Sequence, residues 1–394
     1  MKVAPRLQGL PPNIFAVVND KKLAAAARGV DVIDLGQGSP DLAPPGQVIE
    51  ALCRAARNPG AHRYSLNRGR PELRRAIASY YRRRFGVELD PDREVLPLVG
   101  SKEGIVHLLL AIIGAGERVL CPNPAYPAYA MGTKLADGTI VNVPLLAENG
   151  YLPDYDAIPK NTLRAAKAMF LNYPNNPTAA VATLDDYERA FRLATEHDLV
   201  LCADLAYCEL TFDGYLAPSL LQVPGAKAKA IEFNSCSKTF SMAGWRIGYA
   251  VGAPELIDAL ALVKQQLDYQ SWYAIQEAAI EALTQVPDDW IRANAGVYQA
   301  RRDALVSGMR AMGWPVEAPK GSMYVWAPIP AGRKSIDFAD ELLAKSGVVV
   351  VPGIGFGVHG EGFVRFALVQ PEERLREATQ RMSELKLGWS AVPA

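Results

Sequence analysis

The sequence predicts an α/β chain built on a mostly parallel, doubly wound sheet with a smaller α+β unit, and three observations carry that prediction. Short apolar runs such as Val119-Leu120-Cys121, Ala168 to Leu171 and Leu199 to Ala203 alternate with helical stretches such as Asp185 to His197, the signature of strand–helix crossovers. Distinctive residues fall at or just after such runs, at Gly100, Tyr126, Asn176, Asp204 and Lys238. Ligands of such sheets bind at those carboxyl ends. Beyond a long amphipathic stretch, Trp290 to Met312, the pattern changes to a smaller strand, helix and strand arrangement. A chain of 394 residues accommodates both units, expected at 45–285 for the larger and at 1–44 with 286–394 for the smaller.

Composition narrows the function. Lys and Arg together number 42, as do Asp and Glu, so no net charge draws the chain to nucleic acid or to a membrane surface. The longest apolar run, near Leu108 to Ile113, falls far short of the about 20 residues that a membrane helix needs. Met1 to Arg6 lacks the apolar run of a signal peptide. Five cysteines are scattered without a C-x-x-C pair, which argues against a disulfide framework or a zinc knuckle and suits a reducing cytoplasm.

Taken in order, Leu10-Pro11-Pro12 opens an irregular arm, and Asn19 to Arg28 reads as a helix ended by Gly29. Val32 to Leu35 is a short strand running into Gly36-Gln37-Gly38, a turn that lets backbone approach a ligand. Tyr64 to Gly69 follows a helix ending near Asn58. Pro71 then starts a helix to Phe85, closed by Gly86, with Leu73, Ile77, Tyr80 and Tyr81 on its apolar face. Arg74, Arg75 and Arg82 to Arg84 are expected on its wet face. Val95 to Val99 is a strand, followed by Gly100-Ser101-Lys102-Glu103-Gly104 and a helix over Ile105 to Ile113. A small-residue turn at a helix start offers N–H groups and a helix dipole to an anion. A Walker A loop is absent. Prolines stiffen Pro122 to Pro127 and aim Tyr126, whose ring could stack on a flat heterocycle. Pro254 to Leu267 and a stretch to about Leu283 read as helices separated by Asp268 to Trp272. Strands are expected at Met323 to Ala327, Val348 to Val351 and Phe363 to Leu368, with a last helix from Glu372. Gly355-x-Gly357-x-x-Gly360 matches a dinucleotide fingerprint, but a strand follows it, so it reads as a loop.

The chemistry centres on Asn234 to Gly248. Lys238 stands on a turn between two strands, Ile231 to Phe233 and Ile247 to Val251, with Ser235 and Ser237 before it and Arg246 after it. Burial lowers a lysine's pKa, and a neutral amine attacks carbonyls. Hydroxyls with a guanidinium fork make a phosphate cradle. An aldehyde-reactive amine beside that cradle points to pyridoxal 5'-phosphate (PLP). The rival reading of Ser235-x-x-Lys238, a penicillin-binding type nucleophile, needs S-D-N and K-T-G, and neither tripeptide occurs.

Together these segments resemble the class I/II, fold-type I PLP-dependent aminotransferases over roughly Val30 to Met382. The resemblance implies that Lys238 is the Schiff-base lysine and proton shuttle, and that Asp204 partners the pyridine nitrogen. It implies that Tyr207 and Asn176 bond the ring's O3' and that Tyr126 stacks on the ring. Ser101, Lys102, Ser235, Ser237 and Arg246 would line the phosphate, and Tyr64 would reach a neighbour's phosphate across a homodimer. Arg365, helped by the backbone of Gly38, would take the substrate α-carboxylate. Two positions depart from the family pattern: Ala179 stands where glycine usually follows Asn-Pro-Thr, and Asp204-Leu205-Ala206-Tyr207 replaces D-E-x-Y. The wording of Asp204 to Tyr207, Met242 to Gly248 and Ser322 to Trp326 is closest to bacterial alanine and LL-diaminopimelate aminotransferases. The expected reaction is transfer of an amino group from an L-amino acid to a 2-oxo acid such as 2-oxoglutarate. An aspartate or aromatic aminotransferase, and a PLP lyase acting at Cβ, are the alternatives. Dicarboxylate-specific relatives place a second arginine in the loop matching Asp268 to Tyr273, which here holds neither arginine nor lysine. Alanine or LL-diaminopimelate is therefore expected to be a better donor than aspartate.

Overall fold

A computed structural model describes residues 4–8, 10–65, 68–385 and 387. Among the described residues twelve strands run in chain order. The first, β1 (Ile33–Asp34), is followed by β2 (Val95–Leu98), β3 (Arg118–Asn123), β4 (Thr139–Pro144), β5 (Ala166–Asn172), β6 (Val200–Asp204), β7 (Ala230–Ser235) and β8 (Gly248–Gly252). The last four are β9 (Tyr324–Pro328), β10 (Val348–Val349), β11 (Val351–Pro352) and β12 (Phe363–Ala367). The central sheet has the order β2-β8-β7-β6-β5-β3-β4, parallel except where β8 pairs antiparallel with both neighbours.

Alternation along the strands explains the two helical layers. Val119, Cys121, Ala168, Phe170 and Cys202 point to one side, into a core shared with Leu108 and Leu109 of the helix Ser101–Ile112 and Leu260 of the helix Pro254–Leu267. Leu120, Met169, Leu171, Leu201 and Ala203 point to the other side, against Ile77 and Tyr81 of the helix Pro71–Phe85 and Tyr187 of the helix Leu184–Glu196. A sheet covered on both faces reads as continuous apolar runs, and those runs made the strands legible. The edge strand β4 lacks that signal: Val143 is its one buried residue, and it went unrecognised in the sequence.

A separate core gathers Ile33 and Leu35 with Tyr298, Leu305 and Met309 of the helix Asp288–Ala311 and with Val325, Phe338, Val364 and Leu375. Here β11-β12-β9 form an antiparallel sheet and β1 pairs parallel with β10. The turn between Gly36 and Asp41 is tied to the long helix by Arg301, which bonds both carboxylate oxygens of Asp41 at 2.7 and 2.8 Å.

Two local expectations are corrected. The first long helix runs Ile14–Ala27, starting five residues before Asn19, because Asn13 caps it by accepting from the N–H of Phe15 at 2.9 Å. Arg74 is buried rather than wet: its guanidinium donates to the carbonyls of Arg68, Gly69 and Pro91 and pairs with Asp92 at 2.6 Å. Lys238 stands, as expected, on the turn between β7 and β8, which is a single helical turn, Cys236–Thr239. The Gly355 to Gly360 motif forms two short 3-10 turns, as its loop reading required.

Candidate active site

The carboxyl ends of β2, β3, β5, β6 and β7 share one edge of the sheet, and β8 starts from that edge. The loops leaving it enclose a cavity of about 530 Å³. Gly38, Ser101, Lys102, Tyr126, Asn176, Asp204, Tyr207, Ser235, Ser237, Lys238, Arg246 and Arg365 all line it. Tyr64 is not among the lining residues; it is 89% exposed, with its ring 5.4 Å from that of Tyr269. Neighbouring Leu66 and Asn67 lie outside the described residues.

Lys238 is partly buried and donates to the carbonyl of Gly38 at 2.6 Å. Burial, followed by the nearby guanidiniums of Arg365 and Arg246, pulls its ammonium down from 10.5 to about 7. A substantial share of neutral amine is then present near neutral pH. Asp204, at the end of β6, is pushed up from 3.8 to about 6 by burial. Two bonds oppose that rise: Tyr129 donates to Oδ2 at 2.8 Å, and the N–H of Ala206 donates to Oδ1 at 3.3 Å.

Tyr129 was not foreseen. It stands one helical turn after Tyr126 and stacks on Phe170 at 4.9 Å, which fixes its hydroxyl against Asp204. Asn172 was also missed; its side chain donates to the carbonyl of Asp204 and accepts from the N–H of Asn176, both at 2.8 Å. A third omission is Tyr324, whose hydroxyl lies 3.0 Å from that of Tyr207 and whose ring sits 4.0 Å from the Arg365 guanidinium carbon. The asparagine-rich stretch Asn172 to Asn176 was a usable signal. Tyr324 offered none, because it looks like an ordinary strand residue.

Arg365 is almost fully buried on β12. It donates through Nη1 to Asn176 Oδ1 and through Nη2 to the carbonyl of Gly36, each at 2.8 Å. Its buried Nε has no hydrogen-bond partner among the described residues. Phe15, Phe356 and Tyr324 surround the guanidinium at 5.2, 4.8 and 4.0 Å. A cation so desolvated, with donors in reserve, is ready for a carboxylate.

At the other end of the cavity, anion donors converge. Ser101 and Lys102 open the helix Ser101–Ile112, with Gly100 before them at φ 83°. A Cβ at Gly100 would collide with the guanidinium of Arg246, so glycine lets the arginine reach this end. Ser235 and Ser237 join by an Oγ–Oγ contact of 2.8 Å. Helix start, hydroxyls and guanidinium suit a phosphate dianion. With Lys238 and Asp204 between the two ends, the donor set fits pyridoxal 5'-phosphate.

The match to known sequences decides the family. Residues 30–382 match the family described as Aminotransferase class I and II. This chain belongs to the class I and II aminotransferases. It is 48% identical to an LL-diaminopimelate aminotransferase of Moorella thermoacetica, over 97% of this chain and 98% of that one. It is 47% identical to the protein of that name from Dehalococcoides mccartyi, over 98% and 99%. Substrate-bound BacF from Bacillus subtilis superposes with a TM-score of 0.94 at 38% identity, covering both chains fully. Aminotransferases of this family use PLP and act on amino acids and 2-oxo acids, so the expected fold, cofactor and reaction class hold. Among the described residues no helix is long and apolar enough to cross a membrane.

The substitution of Ala179 for the usual glycine leaves its turn in the left-handed region: Ala179 has φ 59°, and its N–H still bonds the carbonyl of Asn175 at 3.0 Å. The surrounding asparagine network holds a conformation that costs a residue with a Cβ about 1 kcal/mol.

Proposed function

We propose that this aminotransferase takes LL-diaminopimelate as amino donor, with 2-oxoglutarate as acceptor, in the cytoplasm and as a homodimer. The observation that carries the substrate is the near-full-length identity of 46–48% to relatives named LL-diaminopimelate aminotransferase. Asn13, Asn19, Gln37 and Ser39 give the cavity wall polar groups suited to a long, polar side chain. Lys22 also lines it but is paired with Asp34 at 3.0 Å. The segment Asp268 to Tyr273 brings no cation, which disfavours a short side-chain carboxylate such as that of aspartate.

When bound, the cofactor supplies a reactive aldehyde and an electron-accepting ring. Lys238 would hold it covalently and would serve as the base that moves a proton at the substrate Cα. Asp204, oriented by Tyr129, would keep the ring nitrogen protonated. Tyr207 and Asn176 would bond the ring hydroxyl, and Tyr126 would flank the ring. Ser101, Lys102, Ser235, Ser237 and Arg246 would hold the phosphate, joined by Tyr64 of the partner subunit. Arg365 would receive the substrate α-carboxylate in two parallel bonds, with Gly38 beside it. The larger unit, 45–285, provides the cofactor end, and 1–44 with 286–394 provides the carboxylate end. A core drawn mostly from 1–44 and 286–394, around Ile33, Tyr298 and Phe366, supports that division, with Ala206, Tyr207, Leu210 and Phe212 of the larger unit packed into it.

The test is kcat/KM for LL-diaminopimelate, alanine and aspartate against 2-oxoglutarate. LL-diaminopimelate should lead. Aspartate leading by tenfold, about 1.4 kcal/mol of transition-state stabilisation, would overturn the assignment.

A further inference from the structure

The helix Ser101–Ile112 begins at the anion end of the cavity, and its first two turns carry Glu103 and His107 toward the helix Pro254–Leu267. Between the two helices lies Lys264, with no exposed surface. Its ammonium pairs with Glu103 Oε1 and, at 3.0 Å, with Asp268 Oδ1. His107 Nδ1 stands 3.4 Å from Glu103 and 3.9 Å from Asp268. None of these four residues lines the cavity. A wholly buried ammonium costs several kcal/mol of desolvation, and an apolar side chain of the same length would often stabilise a fold as well. The cluster therefore calls for a role beyond holding two helices together.

Its position supplies one. Asp268 is the first residue after the helix Pro254–Leu267, and the short segment it starts touches two pieces of the anion end. Ser271 Oγ donates to the carbonyl of Arg246 at 2.9 Å. Arg246 itself is held at φ 56°, a left-handed conformation that needs support from outside its own turn. Trp272 Nε1 donates to the carbonyl of Ala61 at 2.8 Å, and Gln276 Nε2 bonds both the carbonyl of Ser271 and the hydroxyl of Ser65 at 2.6 and 2.7 Å. The bonds to the Ala61 carbonyl and the Ser65 side chain flank Tyr64, whose ring meets Tyr269.

We infer that Lys264, with Glu103 and Asp268, is a positioning device for the cofactor phosphate. It locks the start of the phosphate helix to the segment that steadies Arg246 and presents Tyr64. This rests on the reading that the phosphate lies at Ser101 and Arg246. Lys264 touches neither cofactor nor substrate; it sets where the groups that do so stand.

The test compares binding of pyridoxal 5'-phosphate and of pyridoxal, which lacks the phosphate, to the cofactor-free full-length protein by absorbance titration. In Lys264→Met the dissociation constant for pyridoxal 5'-phosphate should rise tenfold or more, while that for pyridoxal stays within twofold. Ser271→Ala, which leaves the buried cluster intact and cuts only its link to Arg246, should show the same selective loss at about threefold and serves if Lys264→Met does not fold. Equal weakening of both ligands would mean a general structural role and overturn the inference, as would no change in either. A wild-type protein that binds the two ligands equally would instead overturn the placement of the phosphate itself.

Discussion

Lys238 shows most directly how a residue's surroundings set its chemistry. Its ammonium is disfavoured by burial and by two arginines, so the apo protein carries a strained lysine. With the folded value near 7 and the unfolded one near 10.5, the penalty is full below pH 7, shrinks as pH rises, and vanishes above about 10.5. Lys238→Met should therefore stabilise the cofactor-free chain by about 2 kcal/mol at neutral pH, the gain fading toward pH 10, while transamination is lost. Calorimetry at pH 6, 8 and 10 checks the trend; a gain growing with pH would contradict it. Asp204 gives the complementary case. In the proposed role, in which its carboxylate keeps the ring nitrogen protonated rather than anchoring the cofactor, Asp204→Ala should lower kcat at least 100-fold while cofactor affinity falls less than tenfold. A mere capping aspartate would cost about 1 kcal/mol of stability and leave turnover near normal. Tyr129→Phe should fall between the two and move the acid limb of the pH–rate profile upward, because the carboxylate loses a bond that favours its ionised form.

At the scale of elements, the site depends on how turns are anchored. The turn bearing Gly36 and Gly38 contacts both Arg365 and Lys238 through its carbonyls. Its outer end is held by the two-pronged Arg301–Asp41 pair, in which Arg301 is buried and also donates to the carbonyl of Leu368 at 3.0 Å. Arg301→Ala strands a partly buried carboxylate and should cost about 3 kcal/mol in urea unfolding, with a raised KM for the amino acid. An unchanged KM would show that the turn keeps its place without the pair. By contrast, the helix Leu184–Glu196 starts with a capping box between Thr183 and Asp186, remote from the cavity. Thr183→Ala should cost about 1 kcal/mol and leave kinetics untouched.

For the whole molecule, the proposed homodimer is what would bring Tyr64 to a cavity that it does not line in its own chain. That tyrosine is exposed in its own chain, as a residue serving a neighbour must be. Mixing equal amounts of Tyr64→Ala and Lys238→Ala chains should restore about a quarter of wild-type activity, because each mixed dimer would hold one intact site. No recovery above the two parents would place Tyr64 outside the partner's site.

The sequence by itself determined the buried strands of the sheet, the cofactor and the reaction class. Buried parallel strands are written as local apolar runs, and Ser101, Tyr126, Asn176, Asp204 and Lys238 follow those runs directly, so order along the chain became position in space. Short-range backbone rules likewise placed Pro71 and Gly86 at the ends of their helix. Tertiary structure alone decided whatever depends on partners distant in the chain. Tyr129 meets Asp204 across 75 residues and Lys264 meets Glu103 across 161, and no periodicity encodes such pairs. Arg74 looked like one more surface arginine until folding brought Pro91 and Asp92 to it. The exposed edge strand β4 was missed for the converse reason: with little of it buried, its residues carry little of the hydrophobic pattern that burial imposes on the rest of the sheet.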